Sequence, residues 1–136
     1  MSFDIFVQCF RNREVATFKR AVVEEIFGPY VTRRGPGGEI ERVKYSDGGG
    51  AEIYGDKQDD LVGISFDHCG GDAFFDALFQ LADRIKGVVH WPGVGPSSVI
   101  TDAAVLEHLP ADFVEGCGPP ALVHDRDGIT DAIQRS

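Results

Sequence analysis

The sequence predicts an α+β domain: a mainly antiparallel sheet of about five strands with two or three helices packed on one face, in the order β-α-β-β-β-α-β-α. Three observations carry this. Several short segments alternate apolar and polar residues with a period of two, two longer segments carry apolar residues at helical spacing, and glycine-rich turns join consecutive strands closely enough for an antiparallel meander. The chain has 136 residues with 43% apolar composition and ten Phe, which is enough to fill one ordinary core, so one domain is expected over 1–136 with an irregular tail from about 110.

Residues 2–10, SFDIFVQCF, set Phe3, Ile5, Val7 and Cys9 on one side and Asp4, Phe6, Gln8 and Phe10 on the other. Two Phe on the second side predict a central strand covered on both faces. After the polar turn Arg11-Asn12-Arg13-Glu14, Thr17 is the expected N-cap of a helix whose stripe runs through Phe18, Val22, Ile26 and Tyr30, with Val23 and Phe27 beside it. Gly28-Pro29 ends it. Arg33-Arg34-Gly35-Pro36-Gly37-Gly38 has no apolar period and reads as a loop.

Glu39 to Ser46 alternates as a strand, Asp47-Gly48-Gly49-Gly50 is hairpin chemistry, and Ala51 to Gly55 is the return strand. Asp56 to Asp60 makes a further polar turn, and Val62, Ile64 and Phe66 lie together on a third strand. Gly70-Gly71-Asp72 launches the clearest helix, with Asp72 as cap, Phe75, Leu78, Phe79, Ala82 and Ile85 as stripe, and Gly87 as terminator. Val88 to Trp91 is a short strand, Ser98 to Thr101 more extended chain, Asp102 to Leu109 a short capped helix, and Asp127 to Gln134 a weak last segment.

The formal charge of −9 sets the expected partners. A polyanion is repelled by most of such a surface, so nucleic acid is not an expected partner; solubility alone is the simpler reading of the acidity, and a negative face that meets a basic protein is the alternative. The longest uncharged stretches fall short of a bilayer span and Asp4 sits where a secretory leader carries a cation, which predicts a cytoplasmic protein without a membrane anchor. Cys9, Cys69 and Cys117 are odd in number and widely spaced, so free thiols are expected rather than a disulfide framework or a paired metal site.

Two stretches carry candidate chemistry. In Asp67-His68-Cys69-Gly70-Gly71-Asp72, a strand end meets a helix start, where Cys69 beside His68 has the composition of an activated nucleophile. Neighbours on a strand point to opposite faces, however, and the simpler reading makes Cys69 an apolar filler and the glycines a turn. In GVVHWPGVGPSS, residues 87–98, His90 with Asp102 and Ser97 or Ser98 has the residue types of a hydrolytic set or a ligand pocket, but no G-x-S-x-G elbow accompanies it. A strand running into a stiff corner explains the same residues, and Trp91 on a rigid loop suits a protein contact. The catalytic candidates are thus Cys69, His68, His90 and Asp102, and the binding candidates Trp91, Asp59 and Asp60. The four His, at 68, 90, 108 and 124, have no ligand spacing, so neither a metal nor a cofactor is expected unless tertiary structure gathers donors. The loop at 33–38 and Gly93-Val94-Gly95-Pro96 lack the endings of phosphate cradles.

The opening SFDIFVQCF with the helix T-F-x-R-A-x-V-E-E-I-F, and the later V-H-W-P-G with S-S-V-I-T-D, resemble small uncharacterised bacterial α/β proteins. The plan of strand, helix, hairpins, aromatic helix and V-x-W-P-G strand resembles, over most of residues 1–110, the immunity proteins encoded beside polymorphic toxins. That resemblance implies a stoichiometric inhibitor of a basic toxin-like protein, without catalysis, and assigns no individual contact residue. The function expected is therefore a non-catalytic protein-binding domain, with a small enzyme or small-ligand binder using His68 and Cys69 or the His90-Trp91 loop as the alternative.

Overall fold

The computed structural model describes residues 4–55 and 57–136; Phe3 and Asp56, placed above in a strand and a turn, lie outside them. Strand β1 (Ile5–Arg11) turns through Asn12 and Arg13, both at positive φ, into β2 (Glu14–Ala16). Two left-handed residues in succession match the twist a two-residue hairpin needs. β3 (Phe18–Lys19) leads into α1 (Arg20–Phe27), a 3-10 turn at Gly28–Tyr30 and β4 (Val31–Arg34). Then come β5 (Ile40–Lys44), β6 (Gly50–Tyr54), β7 (Asp60–Leu61) and β8 (Ile64–Gly70). Helix α2 (Asp72–Ile85), β9 (Val88–His90) and β10 (Ser98–Ile100) follow, then a 3-10 segment at Ala103–His108, α3 (Ala111–Cys117), β11 (Ala121–Leu122) and α4 (Arg126–Arg135).

The fold is α+β, as the patterning predicts, but the sheet is larger than about five strands. Among the described residues nine strands form it, in the order β11-β10-β9-β1-β8-β6-β5-β4, with β2 paired to β1, and β3 and β7 form a separate two-stranded ribbon. Every pairing is antiparallel except β10 with β11. The extra strands are two to four residues long, too short to show a period in sequence. β4 falls in Val31–Arg34, which carries two arginines and is exposed along most of its length.

β1 is central and divides the core. Ile5, Val7 and Cys9 face the layer holding Val23 and Phe27 of α1, Leu78 and Leu81 of α2 and Ile129 of α4. Phe27, Phe66 and Phe74 meet there as a ring cluster with centroids 5.4 to 6.5 Å apart. On the other side, Phe10 packs with Val88, Ile100, Val105, Leu109, Phe113 and Val114, a second and smaller core. Helices on one face only is therefore corrected: the 3-10 segment and α3 cover part of the second face. The tail from about 110 is ordered, because Phe113 and Val114 have β1 and β10 to pack on and Ile129 enters the main core.

Both long helices begin differently from the capping pattern. Phe18 and Lys19 pair with Leu61 and Asp60, so α1 starts at Arg20 and Thr17 does not cap it. At α2, Asp72 is the first helical residue and Gly71, at φ 91°, is the N-cap. The α2 amide at Ala73 instead donates to Asp47 Oδ2 (3.0 Å), and Asp47 Oδ1 accepts from Gly49 (2.8 Å). These bonds hold the Asp47 carboxyl below its usual range. The buried stripe of α2 is Phe74, Ala77, Leu78, Leu81 and Ala82, while Phe75, Phe79 and Ile85 are partly buried at its margin.

Gly49 lies against Gly70 and Gly71 with no room for a side chain: a Cβ on Gly49 falls 2.3 Å from the Gly70 carbonyl oxygen. Gly49→Ala is therefore expected to lose roughly 1–3 kcal/mol in urea unfolding. Gly95, with open space around it, is the control, and Gly95→Ala should change stability by less than about 0.5 kcal/mol.

Candidate functional site

The second face of the sheet is covered at one end only, and strand register arranges what remains into rows. Because paired residues share a face, the pairings Ser98 with His90, His90 with Phe6, Phe6 with Ser65 and Ser65 with Tyr54 define one row across five strands. α3 covers its Ser98 end. Beyond His90 the row is open, and the small residues Ser65 and Gly63 between the rings of Phe6 and Tyr54 leave a cleft of about 370 Å³, lined also by Gln8 and His90. Tyr54 is 51% exposed at its rim.

His90 is part of the cleft wall. Its ring stacks on Phe6 (centroids 5.3 Å, planes 23° apart) and meets Phe113 edge-on (5.1 Å, 89°). Nε2 lies 2.9 Å from Gln8 Oε1. Burial lowers its pKa to about 4, so the imidazole is neutral at pH 7. A neutral ring between two phenyls works as an aromatic surface with one polar tether.

A second row is charged. Asp67 pairs with Glu52, Glu52 with Arg42, and Arg42 with Arg33. Arg42 donates to Glu52 Oε1 (2.9 Å), and the Tyr54 hydroxyl donates to Glu52 Oε2 (3.0 Å). The Arg42 bond, then the Tyr54 bond, hold the Glu52 carboxyl below its usual range. Between the pairs Glu52–Asp67 and Gly50–Gly70, β8 carries one residue more than β6, and His68 sits in this bulge at φ 53°. The bulge brings the His68 ring to the same carboxylates: Nδ1 is 3.2 Å from Asp67 Oδ2 and 3.4 Å from Glu52 Oε2.

The catalytic candidates are dispersed. Cys69 is half-buried against the main core, and burial, with the charges of Asp67 and Asp4, pushes its thiol up to about 12. Cys9 donates to the Ile85 carbonyl (3.2 Å) and is pushed up to about 11 by burial. Asp102 caps the 3-10 segment through Ala104 N (2.9 Å) and pairs with Lys86 (3.6 Å). Among the described residues no hydrogen bond or ion pair joins any two of Cys69, His68, His90 and Asp102.

The binding candidates divide. Trp91 is 3% exposed, with Nε1 donating to Ser136 Oγ (3.0 Å). It is part of the core, and an exposed Trp on the 91–97 corner is corrected: Val89, Trp91 and Val99 pack on the main-core face, and Val94 is what the loop exposes. Asp59 and Asp60 are exposed, and they pair with Arg20 and Lys19 at the start of α1. Phe6, Gln8 and Tyr54, which form the cleft, are not among the sequence candidates. The polar-side Phe in SFDIFVQCF is the signal for them, because a Phe opposite the core face must be covered or offered to something.

Comparison with known protein families, with curated proteins and with solved structures found no match. Among the described residues no helix is long and apolar enough to cross a membrane.

Two outcomes are expected. The folded-state pKa of His90, about 4, lies below the roughly 6.5 of a free imidazole, so between these values the unfolded chain binds the extra proton. Stability from this group is complete above about pH 6.5 and falls toward pH 4, on the order of 1 kcal/mol per pH unit; the slope should flatten in His90→Gln, measured by denaturant unfolding across that window. Alkylation mapped by mass spectrometry at neutral pH should leave Cys69 unmodified in the folded protein and modify it only after unfolding.

Proposed function

We propose that this chain is a non-catalytic binding domain that holds a basic protein on the open half of its second sheet face. The observation that carries this reading is the aromatic row that runs from His90, where the cover of α3 ends, through Phe6 to Tyr54, open between two acidic borders. One border is the Glu52–Asp67 pair. The other is the segment 87–125, which contains Asp102, Glu107, Asp112, Glu115 and Asp125 and no Lys or Arg, and whose helix α3 forms the covered edge of the row.

A cleft walled by Phe6 and Tyr54 suits a guanidinium or ammonium side chain, which gains from the ring faces while its charge answers the carboxylates. The dispersal of Cys69, His68, His90 and Asp102 favours binding over catalysis, and the burial that raises the Cys69 thiol pKa speaks against it as the nucleophile of the enzyme alternative. An immunity-type inhibitor, which blocks a basic toxin by covering it, is the form of binder that the sequence resemblance implies. A small-molecule ligand in the same cleft is the second reading, favoured by a volume at the lower end of the roughly 300–1,000 Å³ of such sites.

Isothermal titration of the protein with the basic products of genes beside its own tests this. Expected is a stoichiometric complex whose affinity falls with added salt and drops roughly tenfold or more in Tyr54→Ala, the loss of a hot-spot residue. No complex with any of them, or a complex that Tyr54→Ala leaves unchanged, rejects the proposed face; cleft occupation by small compounds alone selects the second reading.

A further inference from the structure

We propose that Glu52, Asp67 and His68 form a binding site for a divalent transition-metal ion of the zinc class, at the Glu52–Asp67 border of the face proposed above for a partner. One donor atom from each of these three side chains lies within 4.8 Å of the other two, and the carboxylate oxygens next to His68 Nδ1 are Asp67 Oδ2 and Glu52 Oε2. The separations from Nδ1 are 3.2 and 3.4 Å. Ligands at about 2.0–2.2 Å from a tetrahedral ion stand about 3.3–3.6 Å apart, so these two edges approach those of a coordination polyhedron. A mixed set of one imidazole and two carboxylates suits zinc and its neighbours better than calcium or magnesium, which prefer oxygen alone.

Strand register supplies an independent reason. Glu52 and Asp67 are direct cross-strand partners, and like charges placed opposite one another destabilise a sheet. Arg42 answers that repulsion at Glu52 Oε1 and the Tyr54 hydroxyl at Oε2, while the His68 imidazole faces Glu52 Oε2 and Asp67 Oδ2 together. The bulge then has a specific effect. In an unbroken strand Asp67 and His68 point to opposite faces, and the extra residue in β8 brings both to Glu52.

The ligand oxygens are also oriented. The Asp67 Oδ1 atom accepts from the His68 amide (2.8 Å), which turns Oδ2 toward the imidazole. The Tyr54 hydroxyl donates to Glu52 Oε2 (3.0 Å), and an oxygen with two lone pairs can accept that bond and ligate as well. His68 is 64% exposed and both carboxylates are at least one-fifth exposed, so an ion enters from solvent and keeps its remaining positions for water.

The test is calorimetric titration of metal-stripped protein with ZnCl₂, paired with the visible spectrum of the Co²⁺-substituted form. One ion per chain is expected. Losing a ligand costs at least the roughly tenfold in affinity that losing an orienting partner costs, so Glu52→Gln and His68→Asn should each weaken binding that much or more and change the Co²⁺ spectrum. Asn is chosen because it tolerates the left-handed backbone at this position, and circular dichroism melts check that both variants fold. His124→Ala should bind as the parent does. Absence of saturable one-to-one binding, or binding that survives both His68→Asn and Glu52→Gln, overturns the site. Neither result bears on the basic partner, since that complex is read in metal-free buffer through Tyr54→Ala.

Discussion

The structure depends on β1 being apolar on both sides. Ile5, Val7 and Cys9 need one cover and Phe6 and Phe10 need another, so the sheet built around this strand cannot leave a wholly polar back. The supply of helix is unequal to that demand. α1, α2 and α4 go to the first face, where burying side chains such as Phe27, Phe66 and Phe74, at about 1.5–3 kcal/mol each, drives assembly. Seven residues of α3 and the 3-10 segment remain for the second, and they reach as far as His90, which Phe113 touches edge-on. The uncovered aromatic row is what is left when the cover runs out.

A glycine joint links this sheet to its longest helix. The hairpin turn between β5 and β6 lies against Gly70 and Gly71, and Asp47 of that turn satisfies the α2 amide at Ala73. Close approach demands glycine at two positions, Gly49 and Gly71: a Cβ on Gly71 would fall 2.8 Å from Gly49 Cα. The bulge in β8 belongs to the same joint, because its extra residue lies between the Asp67 and Gly70 pairings. One local irregularity therefore serves two ends: it is part of the strand end that meets the turn, and it rotates His68 onto the face of Glu52 and Asp67.

Much of the fold was legible in the sequence because period-two and period-3.6 patterns are strong wherever a segment exceeds about five residues. β1, β5, β6, β8, α1 and α2 stand out on that ground. The short strands β2, β3, β7 and β11 exist through pairing, which a local pattern does not encode. The site was less legible for the same reason. Phe6, Tyr54 and His90 are far apart in the chain and become neighbours through register, and a one-residue slip would send each to the other face. Trp91 shows the converse error: its surroundings of Pro and Gly suggest a surface loop, yet its place at the end of β9 on the face of Val89 puts it in the core. The reading of the 87–98 stretch as a strand ending in a corner follows from local chemistry, and there sequence and structure agree; Cys69 lies half-buried against the main core.

Charge is divided on this molecule in a way the total of −9 conceals. In the row Asp67–Glu52–Arg42–Arg33 two carboxylates are followed by two guanidinia, and both arginines reach Glu52, so the row as a whole adds nothing to the net charge although its Asp67–Glu52 end is acidic. The surplus lies instead in stretches such as 87–125, where no cation follows Arg84 and Lys86 until Arg126. Exposed charges act over about 8–10 Å at physiological ionic strength, so the basic partner proposed above would be drawn by this segment before it met the rings. On the reading proposed above, steering and docking would fall to different residues: carboxylates on and around α3 would set the approach, and Tyr54, whose hydroxyl donates to Glu52 Oε2, would present a ring already held in place that loses little freedom on contact.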